Sequence, residues 1–97
     1  MSLPDREPTG LVGETDEARR KRLRMRSWRR GIKEMDLILG AYADDRLDGM
    51  GADELALYDA LLSENDQDLY AWVTGRRSPP LTFAPLVARI AEHANHR

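Results

Sequence analysis

Apolar residues in this chain recur mostly at intervals of three and four, the spacing of one face of an α-helix. The strongest such segment is Ile32, Met35, Ile38, Leu39 and Tyr42, which predicts a helix over about residues 32–43. Leu37-Ile38-Leu39 puts large side chains around much of its circumference, so this helix is expected at the centre of the fold. A more polar helix precedes it. Thr15 or Asp16 can cap it, with Asp16 and Glu17 in the first turn where the helix dipole favours acids. Ala18, Leu23 and Met25 give it only a thin apolar stripe as far as Trp28. Downstream, Leu55, Leu57, Tyr58, Leu61 and Leu62 read as the inner face of a third helix beginning at Gly51 or Asp53. Asn65-Asp66 ends it and caps a short fourth helix over residues 67–74, with Gly75 as its C-terminal stop. Tyr70 and Trp72 on that helix are expected to be buried and structural. Arg76-Arg77-Ser78-Pro79-Pro80 is a stiff connection, because a residue before proline resists the helical conformation. Thr82 is expected to cap a last helix over residues 83–94. Pro85 is tolerable in its first turn, and Leu86, Val87, Ile90 and Ala94 form its inner stripe. The pattern predicts an all-α protein, a small five-helix bundle spanning residues 15–97. Residues 1–14 hold two prolines and two glycines without periodicity, and predict a disordered arm.

Composition narrows this picture. Ninety-seven residues suit one small domain, and a 41% hydrophobic content with a single Phe means a core built from Leu, Ala, Ile, Met and Val. The absence of cysteine excludes disulfides, a thiol nucleophile and thiolate metal sites. No apolar run approaches the roughly 20 residues that span a bilayer, and the first residues show neither a signal core nor a transit peptide. A cytoplasmic protein without membrane insertion is the resulting expectation. Charge is more informative than its net value. Arg19, Arg20, Lys21, Arg22, Arg24, Arg26, Arg29, Arg30 and Lys33 follow one another with no acid between them, whereas all 17 acidic side chains lie elsewhere. Such a chain is expected to be dipolar, with one positive end able to dock on an anionic surface.

Candidate chemistry is sparse. Asp44, Asp48 and Gly49 fall at the first, fifth and sixth positions of an EF-hand loop. Arg46 and Leu55 then occupy the third and twelfth, where ligands are needed, so a turn and not a calcium site is expected. His93 and His96 lie near a helix C-terminus, where solvated imidazoles are favoured. Glu34 and Asp36 are two residues apart and face different ways, and Ser27 has no base nearby in sequence. No Gly-x-Gly-x-x-Gly fingerprint occurs outside the expected arm or within it. No catalysis, stably bound cofactor or metal is expected of this chain itself.

The junction between the first two helices stands out. Arg26-Ser27-Trp28-Arg29-Arg30-Gly31-Ile32-Lys33-Glu34-Met35-Asp36 carries a glycine where an unbroken helix would lose about 1 kcal/mol against alanine. It marks either a helix break beside an ordinary surface pair, Arg30 and Glu34, or a point of close backbone approach. Arg30-Gly31-Ile32-Lys33-Glu34 resembles the Arg-Gly-x-x-Glu motif of the SdhE-type succinate dehydrogenase assembly factors. The segment Leu61-Leu62-Ser63-Glu64-Asn65-Asp66-Gln67-Asp68-Leu69-Tyr70-Ala71-Trp72 is similar to that family's Leu-Leu-x-x-x-Asp-x-Asp-Leu-x-x-Trp block. The resemblance runs from about residue 19 to 94 and implies a five-helix bundle. It implies a factor that binds the flavoprotein subunit of succinate dehydrogenase, and often of fumarate reductase, and promotes covalent FAD attachment there. Arg30, Gly31 and Glu34 would form the contact motif, with Arg29 and Trp28 beside it, on a protein that is monomeric when free. The alternative reading of the basic run is a helical nucleic-acid-binding or other protein-interaction module. The acidic remainder speaks against nucleic acid, because it would repel a phosphate backbone.

Overall fold

The computed structural model describes residues 13–96. Five α-helices follow one another: α1 Asp16–Ser27, α2 Lys33–Arg46, α3 Ala52–Leu62, α4 Asp66–Val73 and α5 Ala84–Asn95. A short 3-10 turn, Leu47–Gly49, follows α2, and no strand occurs among the described residues. The all-α five-helix architecture is therefore observed as the spacing predicts. Residues 1–12, most of the expected arm, lie outside the described residues. Glu14, assigned to that arm from sequence, is bonded to Arg22 at 2.8 Å with a side chain only 9% exposed.

Local signals set most helix ends. Thr15 Oγ1 accepts from the Ala18 N–H at 3.0 Å, and Asn65 Oδ1 from the Gln67 N–H at 2.8 Å, each satisfying a donor the helix leaves open. Glu54 turns back to accept from the Gly51 N–H at the head of α3. Gly75 adopts φ +81°, and the Gly75 and Arg76 N–H groups return to the Trp72 and Ala71 carbonyls at 3.2 and 2.8 Å. This paired closure needs a left-handed residue, which glycine supplies without strain. Thr82 does not cap α5. Phe83 takes that place with no side-chain bond, because a turn closed from the Phe83 N–H to the Pro80 carbonyl already delivers the chain into the helix. The connection after α2 is also shorter than expected, since α2 continues through Asp44 and Asp45 to Arg46. Leu47 and Met50 then drop into the core.

The core is mostly aliphatic, with Leu23, Met35, Leu39, Leu47, Leu55 and Ile90 fully buried together with the aromatic Tyr58. Helix α2 is central and packs against α1, α4 and α5. It is not enclosed all round, because Leu37 remains 46% exposed while Leu39 is buried. Trp72 is buried against Phe83, with ring centroids 6.2 Å apart. Tyr70 is only half-buried at the rim, beneath the Arg76 guanidinium.

Helix α1 departs furthest from the apolar-stripe expectation. Met25 is 46% exposed, and the buried residues of α1 are Leu23 and Ser27 alone. The Ser27 hydroxyl donates to the Leu23 carbonyl and shares a 2.6 Å hydrogen bond with the Tyr58 hydroxyl. Burial pushes the Tyr58 phenol well above its ordinary pKa, against the opposing Ser27 bond. Polar anchors do the rest. Arg20 donates to the Leu47 and Met50 carbonyls at 3.0 and 2.7 Å. Arg22 and Arg26 converge on Asp59 at 3.0 and 2.6 Å, fastening α1 to α3.

His93 also differs from expectation. Lying one turn beyond Ile90 on the inner stripe of α5, it is buried, with Nε2 2.7 Å from Asp45 Oδ2 and its ring edge-on to Tyr42. His96 alone remains exposed.

Candidate interaction surface

The chain between α1 and α2 is a five-residue turn held by two carboxylates, Asp36 and Asp66. Trp28 ends α1, and Ile32 stands at the N-cap of α2 without a side-chain bond. The turn therefore needs other partners for its backbone donors. The Arg30 N–H donates to Asp36 Oδ1, reaching back from the first turn of α2. The Gly31 N–H donates to Asp66 Oδ2, and Asp66 Oδ1 accepts from Arg30 Nε at 2.7 Å. A further Arg30 N–H reaches the Glu64 carbonyl at 3.3 Å. One carboxylate at the head of α4 thus grips the side chain of Arg30 and the backbone of Gly31 together. The ion pair is largely withdrawn from water, with side chains 9% and 17% exposed, so its hydrogen bonds are of the stronger, charge-assisted kind.

The glycine follows from this geometry. A Cβ on Gly31 would lie 3.0 Å from Asp66 Oδ2, so any side chain there would push the carboxylate against its bonds to Arg30 and to the Gly31 N–H. Close approach is required, as expected, but the group that approaches belongs to this same chain. Likewise, Arg30 does not pair with Glu34. Helix α2 begins only at Lys33, so the two residues never share a helical face, and Arg30 is drawn inward to Asp66.

The outer side of the turn is different. Arg29, Lys33 and Glu34 are exposed and, among the described residues, their side chains make no hydrogen bond or ion pair. Glu34 stands in the first turn of α2, where the dipole favours an acid, at the edge of a shallow cleft lined by Leu37, Ile38 and Tyr70. Trp28 is 40% exposed yet fixed. Its indole lies across Gly40 of α2, and its Nε1–H donates to Asp44 Oδ1 at 3.3 Å. Of the five site residues expected from sequence, Trp28, Arg29 and Glu34 thus face outward around the turn, while Arg30 and Gly31 build it. Asp66, Asp36 and Gly40 were missed. Asp66 carried a signal, since it is the first aspartate of the block similar to the family's second motif.

Part of the basic run is matched by acids within the fold. Arg22 holds Glu14 and Asp59, Arg24 lies at 3.3 and 3.5 Å from Asp44 and Asp48, Arg26 holds Asp59, and Arg30 holds Asp66. Acids that are distant in sequence are folded against the cations. Arg22 keeps the Glu14 carboxyl below its ordinary pKa. At Asp59 burial acts upward, but the Arg22 and Arg26 hydrogen bonds outweigh it and the pKa is lowered.

A small helical bundle whose clamped turn presents a fixed indole and three charges unpaired among the described residues is an interaction module in form. Residues 21–94 match the family model described as flavinator of succinate dehydrogenase, and the chain belongs to that family. Relatives named succinate dehydrogenase assembly factor 2, mitochondrial, include one from Cryptococcus neoformans, 36% identical over 92 residues. That match covers 93% of this chain and 53% of the relative. Those from Penicillium rubens and Meyerozyma guilliermondii are 47% and 44% identical over 68 residues, 70% of this chain and 22% and 50% of theirs. The chain thus spans about half, or less, of the length of these curated relatives.

Proposed function

We propose that this protein binds the flavoprotein subunit of succinate dehydrogenase, and also that of fumarate reductase, and promotes covalent attachment of FAD to it. Family membership supports the reading, and the observation that carries it is the division of labour in the Arg30–Glu34 turn. Arg30 and Gly31 lock the turn onto Asp66, and the locked turn leaves Trp28, Arg29 and Glu34 directed outward. A rigid surface with an aromatic anchor and unpaired charges is the form in which protein interfaces concentrate binding energy. The protein would act as a monomer and hold no flavin of its own. Its contribution would be to bind and stabilise a flavoprotein conformation in which the reacting groups are aligned, so that any rate gain comes from positioning. The cytoplasmic placement expected from sequence belongs to this proposal. No helix among the described residues is long and apolar enough to cross a membrane. The nucleic-acid reading loses part of its support, because four of the arginines that suggested it, Arg22, Arg24, Arg26 and Arg30, are engaged by acids of the same chain.

The test is covalent flavin on the flavoprotein subunit in a host lacking this gene, read as ultraviolet fluorescence on a denaturing gel. The proposal predicts a strongly reduced signal that returns when the gene is restored. Undiminished fluorescence in the deletion strain would overturn it.

A further inference from the structure

Glycine is an uneconomical choice in the middle of a helix, and Gly40 lies within α2 with helical residues on both sides. It is buried, and the atoms that bury it identify its use. A Cβ at this position would sit 2.3 Å from two indole carbons of Trp28 and 2.6 Å from a third. No side chain other than hydrogen fits beneath the ring as it lies. On the far side, the indole Nε1–H is tied to Asp44, one turn along the same helix face. Trp28 is therefore held at two points although 40% of it remains in solvent.

Core packing does not explain this arrangement, because Trp28 stands outside the buried cluster. An exposed aromatic usually gains nothing from being immobilised, whereas an aromatic that anchors a partner gains affinity by being set in place beforehand. Trp28 also adjoins the unpaired Arg29 and is two residues from the clamped Arg30. We infer that Gly40 is a positioning residue for flavoprotein binding: by seating Trp28 flat on α2 it fixes the indole as a preformed anchor beside the Arg30–Glu34 turn. The inference rests on the proposed binding of the flavoprotein and extends that surface from the turn to the middle of α2. Gly40 itself touches no partner and acts only through the ring.

The test is a double-mutant cycle on the full chain, titrated against the apo flavoprotein subunit. Gly40→Ala should fold, because alanine is the better helix former and the displaced ring is not part of the core. It should weaken binding by about tenfold and move the Trp28 indole N–H resonance, assigned by its loss in Trp28→Phe. In a Trp28→Ala background the same substitution should change affinity by less than about twofold, since there is no ring left to displace. Asp44→Ala, which frees the indole from its other end and also releases Arg24 without touching the core, should weaken binding in the same direction, and should do so less in a Trp28→Ala background. Equal losses for Gly40→Ala with and without Trp28, or wild-type affinity in Gly40→Ala with a shifted indole signal, would overturn the inference. If Gly40→Ala fails to fold, unchanged affinity in Asp44→Ala would overturn it instead. Failure of the wild-type protein to bind the flavoprotein would sink the functional proposal, which is a separate outcome.

Discussion

The Arg30 and Gly31 atoms of the candidate contact motif are engaged within the fold. Removing the guanidinium leaves the largely buried Asp66 carboxylate with only the Gly31 N–H as partner, so Arg30→Ala should destabilise the protein by about 1.5–3 kcal/mol, the usual value of a hydrogen bond to a charged group. From sequence, a surface pair and an interface contact both imply a cost below about 1 kcal/mol, and a chemical melt decides between the two values. Arg30→Lys should recover little, because an ammonium cannot reproduce the fork that meets Asp66 and the Glu64 carbonyl together. Gly31→Arg should also be destabilising, since its Cβ meets Asp66 before the side chain reaches any partner. Glu34 and Arg29 are the contrast. Their replacement by alanine should leave the melting temperature within a degree or so, as neither side chain has a bond to lose among the described residues. A common loss of stability across all four positions would contradict this division.

At the scale of elements, α1 is fastened more by charge than by apolar contact, and this makes its docking pH-dependent. Glu14 and Asp59 have lowered pKa values in the folded protein. Their stabilising contribution is therefore full above the ordinary carboxylate range, about pH 4, and is lost as pH falls through the lower folded values. Wild type should lose thermal stability steeply below about pH 4, and Asp59→Asn, already without the pair, should lose less over the same interval. Parallel curves would mean the Arg22–Asp59–Arg26 cluster carries little. Helix α4 depends instead on Trp72, whose replacement by alanine should cost about 3–5 kcal/mol as for other buried aromatics. The helices were legible in sequence because spacing and caps act within a few residues: Thr15, Asn65 and Gly75 each do what their local chemistry predicts. What could not be read there acts across the chain. Arg30 meets Asp66 from 36 positions away and Arg26 meets Asp59 from 33, so neither pairing leaves a local trace. His93 was misplaced for a related reason, since its partner Asp45 lies 48 residues off.

At the scale of the whole molecule, the bundle is a mount for one turn. Helix α2 supplies the seat for Trp28, α4 supplies the carboxylate under Gly31, and α1 delivers the chain between them. The N-terminal segment is expected to add nothing to binding. A chain starting at Gly13 keeps Glu14 on Arg22 and should match the full-length protein in melting temperature and flavoprotein affinity, whereas one starting at Thr15 should melt lower and bind as well. A marked loss of affinity on removing residues 1–12 would show that segment to be a docking element. The central claim is that the outward face of the clamped turn binds the flavoprotein, independently of the fold. Titration of the apo flavoprotein subunit with Glu34→Ala, after its melting curve has been matched to wild type, tests this most directly. A loss of affinity of about 2–5 kcal/mol, as for truncating one partner of a buried charged contact, is the predicted result. Wild-type affinity in that fully folded variant would contradict the account.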